Sequence, residues 1–230
     1  MAFLELRDVS FSYPRQDRLV LSGIDLVFKK EGITALVGPN GSGKTTLTKL
    51  IMGILSPITG GVYLEEQSLA KFSLAQIGCR IGYIFQNPDQ QLFCRTVMEE
   101  IGFGLKYRGC SPEAVTERVE FLLEYFELTN YCRNFPLHLS RGEKQRVAMA
   151  AVLAHEPEFL ILDEPTAGLD IYRKKLLGTY LTKISRLGRG TMIVSHDHSF
   201  VENTADRVVV LKEGRIQGDR KLRGWKRDET

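Results

Sequence analysis

Ile33-Thr34-Ala35-Leu36-Val37-Gly38-Pro39-Asn40-Gly41-Ser42-Gly43-Lys44-Thr45 is an apolar run that breaks into a glycine-rich loop ending in Lys-Thr. The next residues, Thr46-Leu47-Thr48-Lys49-Leu50-Ile51-Met52, read as helix. Strand, loop and helix in that order build an anion site, because a helix N-terminus presents unpaired N–H groups and the positive end of its dipole. Gly38, Gly41 and Gly43 let the backbone curl close around a phosphate chain. Lys44 is placed to reach the terminal phosphates and the Thr45 hydroxyl to ligate magnesium. The stretch reads as a nucleoside triphosphate site. The alternative is an ordinary glycine-rich turn, which the strand before it and the helix after it argue against.

The remaining composition narrows the setting. At 230 residues the chain can build a substantial core, as one large or two small domains. A formal net charge of +3 gives no reason to expect a nucleic-acid partner. Basic residues gather near the C-terminus (Arg215, Arg220, Lys221, Arg223 and Lys226), which reads as a solvated, partly disordered tail, with anionic lipid headgroups as the alternative contact. Cys79, Cys94, Cys110 and Cys132 show no Cys-x-x-Cys spacing and suit a reducing cytosol. No apolar run is long enough to span a bilayer and no signal peptide is visible, so the expectation is a soluble intracellular chain. Any membrane function must then use another polypeptide.

Along the chain, strand patterns fall at 3–9, 24–28 and 33–37, and short ones at 61–64 and 81–85. From 96 to 154 the pattern turns helical: 97–105, then a helix to Phe126 opened by Ser111 as N-cap with Pro112 at its first position, then 142–153. After Pro157 the βα rhythm returns, with strands at 159–162, 191–194 and 207–211 and a helix at 171–187. Return to one sheet after a helical insertion implies a mainly parallel α/β core carrying a helical subdomain. The expected division is a core over about 1–86 and 157–215, a helical subdomain over about 87–156, and a basic tail over about 216–230.

Phe159-Leu160-Ile161-Leu162 ends in Asp163-Glu164. In a parallel α/β sheet ligands sit beyond the C-terminal ends of the strands, so Asp163 emerges on the side of the phosphate loop and can hold magnesium, directly or through water. Glu164 is placed to polarise an attacking water, a contribution of about 10²–10⁴ in rate.

Asp163-Glu164-Pro165-Thr166-Ala167-Gly168-Leu169-Asp170 and Leu139-Ser140-Arg141-Gly142-Glu143, taken with the loop at 38–45, resemble the ATP-binding-cassette ATPases. The resemblance covers nearly the whole chain in the right order: Tyr13, the loop, Gln86, the signature at 139–143, Asp163, Glu164, Asp170 and His196. It implies a P-loop NTPase core with an N-terminal antiparallel β subdomain and an inserted helical subdomain. It also implies ATP and Mg²⁺ as ligands, and a head-to-tail pair that sandwiches two ATP molecules. Loop residues Gly38, Pro39, Asn40, Gly41, Ser42, Gly43, Lys44, Thr45 and Thr46 would hold the phosphates. Tyr13 would stack on adenine, and Ser140 and Gly142 would meet the γ-phosphate bound by the other subunit. Thr45, Gln86 and Asp163 would serve magnesium. Glu164 would act as base, His196 would hold the γ-phosphate, Glu164 and water in register, and Asp170 would bridge the two halves. Arg141 and Glu143 depart from the commonest signature, which has glycine and glutamine there; Ser140 and Gly142 keep to it.

Within that family, Gln86-Asn87-Pro88-Asp89-Gln90-Gln91-Leu92-Phe93 resembles the ATPase subunits of energy-coupling-factor importers of vitamins, cobalt or nickel. The resemblance implies a peripheral protein on the cytoplasmic face of the membrane, a transmembrane coupling protein and a separate substrate-binding membrane subunit. Leu92 and Phe93 would then belong to an exposed apolar surface; the alternative is that they pack the subdomain's own core. The ATPase of another importer or exporter, and a soluble non-transport cassette ATPase, remain as further readings.

Overall fold

A computed structural model describes residues 2–15 and 18–222. Its first strands are β1 (Ala2–Phe11) and β2 (Leu21–Lys29), whose alternating buried and exposed positions mark a sheet with one face on the core. They pair antiparallel, with Leu6 opposite Leu26. The buried strand β3 (Ile33–Val37) feeds the phosphate loop and helix α1 (Lys44–Ile51). The chain then returns to the antiparallel sheet as β4 (Thr59–Leu64) and the two-residue β5 (Gln67–Ser68), completing the order β2-β1-β4-β5.

Helix α2 (Leu74–Arg80) starts at a capping box in which Ser73 accepts from the Gln76 N–H and the Gln76 side chain reaches back. It leads into β6 (Ile81–Ile84). Three helices follow: α3 (Val97–Tyr107), α4 (Pro112–Tyr125) and α5 (Arg141–Ala154). Each begins where a side-chain oxygen accepts a free N–H: Thr96 from Glu99, Ser111 from Ala114, Ser140 from Glu143.

The core sheet closes with β7 (Phe159–Asp163), helix α6 (Ile171–Arg186), β8 (Gly190–Val194), helix α7 (His198–Thr204), β9 (Arg207–Lys212) and β10 (Arg215–Lys221). Its order is β10-β9-β3-β8-β7-β6, and all neighbours run parallel except β10. Every residue of β7 and β8 is buried, as expected for strands covered on both faces. Alternate residues of β7 face different cores. Phe159 and Ile161 join Phe3, Phe28, Leu36 and Leu47 under the antiparallel sheet. Leu160 and Leu162 join Leu122, Val147 and Leu181 under the helices. Each such side chain contributes about 1.5–3 kcal/mol by burial.

Two sequence expectations are corrected here. The basic tail expected from about 216 is an edge strand as far as Lys221, paired with β9, and its exposed pattern reflects a strand with only one neighbour. Residues 223–230, including Arg223 and Lys226, lie outside the described residues. Leu92 is only 4 % exposed and sits in the helical core, whereas Phe93 beside it is 63 % exposed. Of the pair, only Phe93 reaches the surface.

Candidate active site

The glycine loop lies at the C-terminal end of β3, the edge of a parallel sheet where ligands collect. Gly38 is required by close approach: a Cβ there would fall 2.0 Å from the Leu211 carbonyl oxygen. Gly43, the N-cap of α1, has φ of 105°, and a Cβ on it would meet Leu21 at 2.7 Å. Lys44 Nζ donates to the carbonyls of Gly38 and Pro39 at 2.8 and 2.9 Å, which folds the ammonium back over the loop.

Across the loop, β7 delivers Asp163 and Glu164. Asp163 is buried, and that burial raises its pKa; Glu164's charge pushes the same way, against the hydrogen bond from Tyr83 and the charge of Lys44. The Tyr83 hydroxyl donates to Asp163 Oδ2 at 3.1 Å. Burial, and then the charge of Asp163, hold the phenol above its ordinary value, which keeps it a donor. Glu164 stands at φ 49°, a left-handed conformation that costs a residue with a Cβ on the order of 1–3 kcal/mol. Its N–H donates to Val194 at 2.8 Å, so the sheet hydrogen-bonding fixes the turn. Its Oε2 lies 2.9 Å from His196 Nδ1 and accepts the His196 N–H at 3.4 Å. His196 is 80 % exposed, and its partner Glu164 is buried.

One cleft of about 250 Å³ gathers Val20, Asn40, Gly41, Gly43, Lys44, Thr45, Thr46, Gln86, Asp163 and Glu164. Thus Gln86, Asp163 and Glu164 meet the phosphate loop, although widely separated in sequence. Val20 lines the cleft too; as a loop residue outside any motif, it gave no signal in the sequence. Tyr13 is not among the lining residues. Its hydroxyl lies 3.1 Å from Thr46 Oγ1, and its ring meets Phe11 edge-on at 5.0 Å.

Ser140, Gly142, Asp170 and His196 do not line the cleft either. Ser140 caps α5. Its N–H and Oγ both donate to Glu143 Oε2, at 2.8 and 2.6 Å. The Ser140 hydroxyl, followed by that of Tyr131, holds the Glu143 carboxyl below its ordinary range. Gly142 packs closely on the Gly168 carbonyl, where a Cβ would sit at 3.0 Å. Asp170 caps α6, accepting the Arg173 N–H at 2.8 Å, which lowers its pKa together with the paired Arg173 guanidinium. Arg173 also reaches Glu127 at 3.0 Å, and Arg146 of α5 meets the same carboxylate at 3.3 Å. A chain of ion pairs therefore links the signature helix to Asp170.

The donor set fits a nucleotide with magnesium. Ser42 Oγ, within the glycine loop, is buried with no hydrogen-bond partner among the described residues. Thr45, Gln86 and Asp163 offer hydroxyl, amide and carboxylate oxygens to one cleft, the all-oxygen set a small hard cation takes. No group of three or more His, Cys, Asp or Glu side chains suited to a metal occurs among the described residues.

A parallel sheet, a glycine loop capping the helix that follows its strand, and a second strand, two places along the sheet, ending in Asp-Glu define a P-loop NTPase. The profile of the ABC transporter family matches residues 21–167. The chain belongs to that family and is an ATP-hydrolysing cassette. The energy-coupling factor transporter ATP-binding protein EcfA of Methanothermobacter thermautotrophicus is 41% identical over 215 residues, covering 93% of this chain and 69% of that protein. The structure of cbiO1 from Clostridium perfringens, part of the ABC transporter complex cbiONQ, superposes with a TM-score of 0.84 at 32% identity, covering 96% of this chain and 89% of that one. A dimeric ATP-binding cassette in a post-hydrolysis state, bound to ADP and Pi, gives 0.87 at 27% identity, covering 96% and 100%.

Proposed function

We propose that the chain powers an energy-coupling-factor type importer, paired head to tail with a second copy or a paralogue on the cytoplasmic face of the cell membrane. The observation that carries this reading is the course of residues 86–93. The segment starts in the cleft at Gln86 and ends at Phe93, whose exposed ring packs edge-on against Phe103 at 4.9 Å. Phe103 is itself 48 % exposed. A change at the nucleotide thus has a short covalent route to an apolar surface suited to a membrane partner's helix. The likeness to EcfA and to cbiO1 supports the same branch. No helix among the described residues is long and apolar enough to cross a membrane. In this reading a transmembrane coupling protein and a substrate-binding membrane subunit supply the path and choose the cargo, a vitamin or a transition-metal ion.

Within the pair, Tyr13 stacks on adenine, and the backbone of 38–46 with Lys44 holds the phosphates. Thr45, Gln86 and Asp163 hold Mg²⁺, which when bound neutralises charge on the phosphate oxygens. Glu164 takes the proton of the attacking water. His196 keeps Glu164 aligned with the γ-phosphate. Ser140 and the Gly142 N–H of the second subunit close the sandwich, and Asp170 bridges the halves.

The test is affinity capture of the tagged chain from detergent-solubilised membranes of its own cell. Co-purification of a polytopic coupling protein with a small membrane-embedded binding protein is expected. Recovery of conventional permease or exporter subunits alone overturns the branch and leaves the ATPase in place.

A further inference from the structure

Tyr83 belongs to none of the motifs, yet its hydroxyl joins two elements that line the cleft, α1 and β7. It donates to Asp163 Oδ2 at 3.1 Å and lies 3.1 Å from Thr48 Oγ1. The Thr48 hydroxyl, fully buried on α1, also reaches the Thr45 carbonyl at 2.9 Å. The Tyr83 carbonyl accepts from Gln91 Nε2 at 3.3 Å, while Gln91 Oε1 takes the Phe85 N–H at 3.2 Å. The residue therefore also fastens the start of the segment that carries Gln86. Its ring packs edge-on to Phe85 at 4.9 Å.

Proton accounting gives this cluster a direction. An ionised carboxylate only accepts, and a phenol has one proton, so Tyr83 donates to Asp163 and has lone pairs left for the Thr48 hydroxyl. Thr48 in turn has one proton to share between the Tyr83 oxygen and the Thr45 carbonyl. Two of the three residues proposed to hold the cation, Thr45 and Asp163, are thus tied to the same tyrosine.

We propose that Tyr83 is a positioning residue for the divalent cation: by holding Oδ2 it sets the rotation of the Asp163 carboxylate and leaves Oδ1 for the ion. This rests on reading Asp163 as a magnesium-holding carboxylate. Partners that orient a ligand in this way are worth about 10–100-fold in metal affinity or activity when removed.

The experiment compares binding of a fluorescent, non-hydrolysable ATP analogue to the whole chain in excess Mg²⁺ and in EDTA. The readout is the ratio of the two affinities. Tyr83→Phe keeps the ring packing and removes only the hydroxyl. It is expected to lower the Mg²⁺-dependent gain about tenfold while leaving the affinity in EDTA unchanged. Asp163→Asn is expected to abolish the gain, and Thr48→Val to lower it less than Tyr83→Phe does. If Tyr83→Phe keeps the wild-type gain while Asp163→Asn loses it, the proposal is wrong and the reading of Asp163 stands. Equal weakening in Mg²⁺ and in EDTA reduces Tyr83 to a packing residue, which also overturns it. If Asp163→Asn keeps the full gain, the reading of Asp163 fails and takes the proposal with it.

Discussion

Replacing Glu143 tests how the acidic residue in the signature bears on closure of the pair. The serine beside it has a single hydroxyl proton, and that proton goes to Glu143 Oε2 at 2.6 Å. The distance falls in the range of a charge-assisted O–H···O⁻ bond. To donate to a phosphate oxygen instead, Ser140 must let Glu143 go. Glu143→Ala removes the reciprocal half of the capping box, worth about 1 kcal/mol, and an acidic group in the first turn, worth about 0.3–1 kcal/mol. At about 2–4 °C per kcal/mol for a domain of this size, the melting temperature should fall by about 3–8 °C. Glu143→Gln keeps an acceptor and loses the charge, so the bond to be surrendered weakens by about 1 kcal/mol. ATP-driven pairing, followed by light scattering in a hydrolysis-deficient Glu164→Gln background, should then need several-fold less ATP, up to about tenfold. The acid dependence has a definite sign. Glu143 is held below its ordinary value of 4.5, so its contribution is complete above that value and disappears as pH falls through the lower folded value. The melting difference between wild type and Glu143→Ala should therefore shrink in acid. An alanine variant that melts with wild type, together with a glutamine variant that pairs at the same ATP concentration, would refute the reasoning.

Glu164→Gln should cut ATP hydrolysis by about 10²–10⁴ while a fluorescent nucleotide still binds, and wild-type turnover would remove Glu164 from the role of base. Lys44→Ala should weaken ATP about tenfold or more, since a charge-assisted hydrogen bond is worth about 1.5–3 kcal/mol; an unchanged titration would contradict that. Glu158, paired with Arg80 and Lys30 and drawn down to about 2 chiefly by Arg80, stabilises the fold fully above the ordinary carboxylate value and loses that effect as pH falls toward 2. Glu158→Gln should therefore cost about 1 kcal/mol near neutral pH, for pairs that remain partly solvated, and almost nothing at pH well below its folded value; a pH-independent gap in melts would speak against it.

What could be read without coordinates was what the backbone imposes locally. A loop that must cradle phosphate needs glycines, and a buried parallel strand ending at a ligand shows as Phe159–Leu162 followed by Asp163-Glu164. The helix from Pro112 announces its own cap at Ser111. Readings failed where a residue's fate depends on distant neighbours. Arg215–Lys221 lacks an apolar face because it is an edge strand, so its charges resembled a tail. Leu92 is buried by helices that follow it in the chain. Helices α2 and α7 are seven residues each, too short for periodicity to show, although Ser73 with Gln76, and Asp197 accepting from Phe200, were available as cap signals. Tyr83 meets Asp163 across 80 residues of sequence, and no spacing rule reports such a contact.

The hairpin of β9 and β10 also bears on how ATP is received. Its turn lies against the phosphate loop: the Gly214 N–H donates to Ser42 at 3.2 Å, and the Gly214 carbonyl takes the Ser22 N–H at 2.9 Å. Behind Gly38 the Leu211 carbonyl leaves no room for a side chain. The loop is thus braced from the rear by the β9–β10 hairpin. Preorganisation of this kind spares the nucleotide the entropy of shaping its own cradle. It also makes the last hairpin a hidden determinant of affinity: a truncation or fusion that disturbs Gly214 should be felt at the phosphates, although no described residue beyond Glu164 lines the cleft.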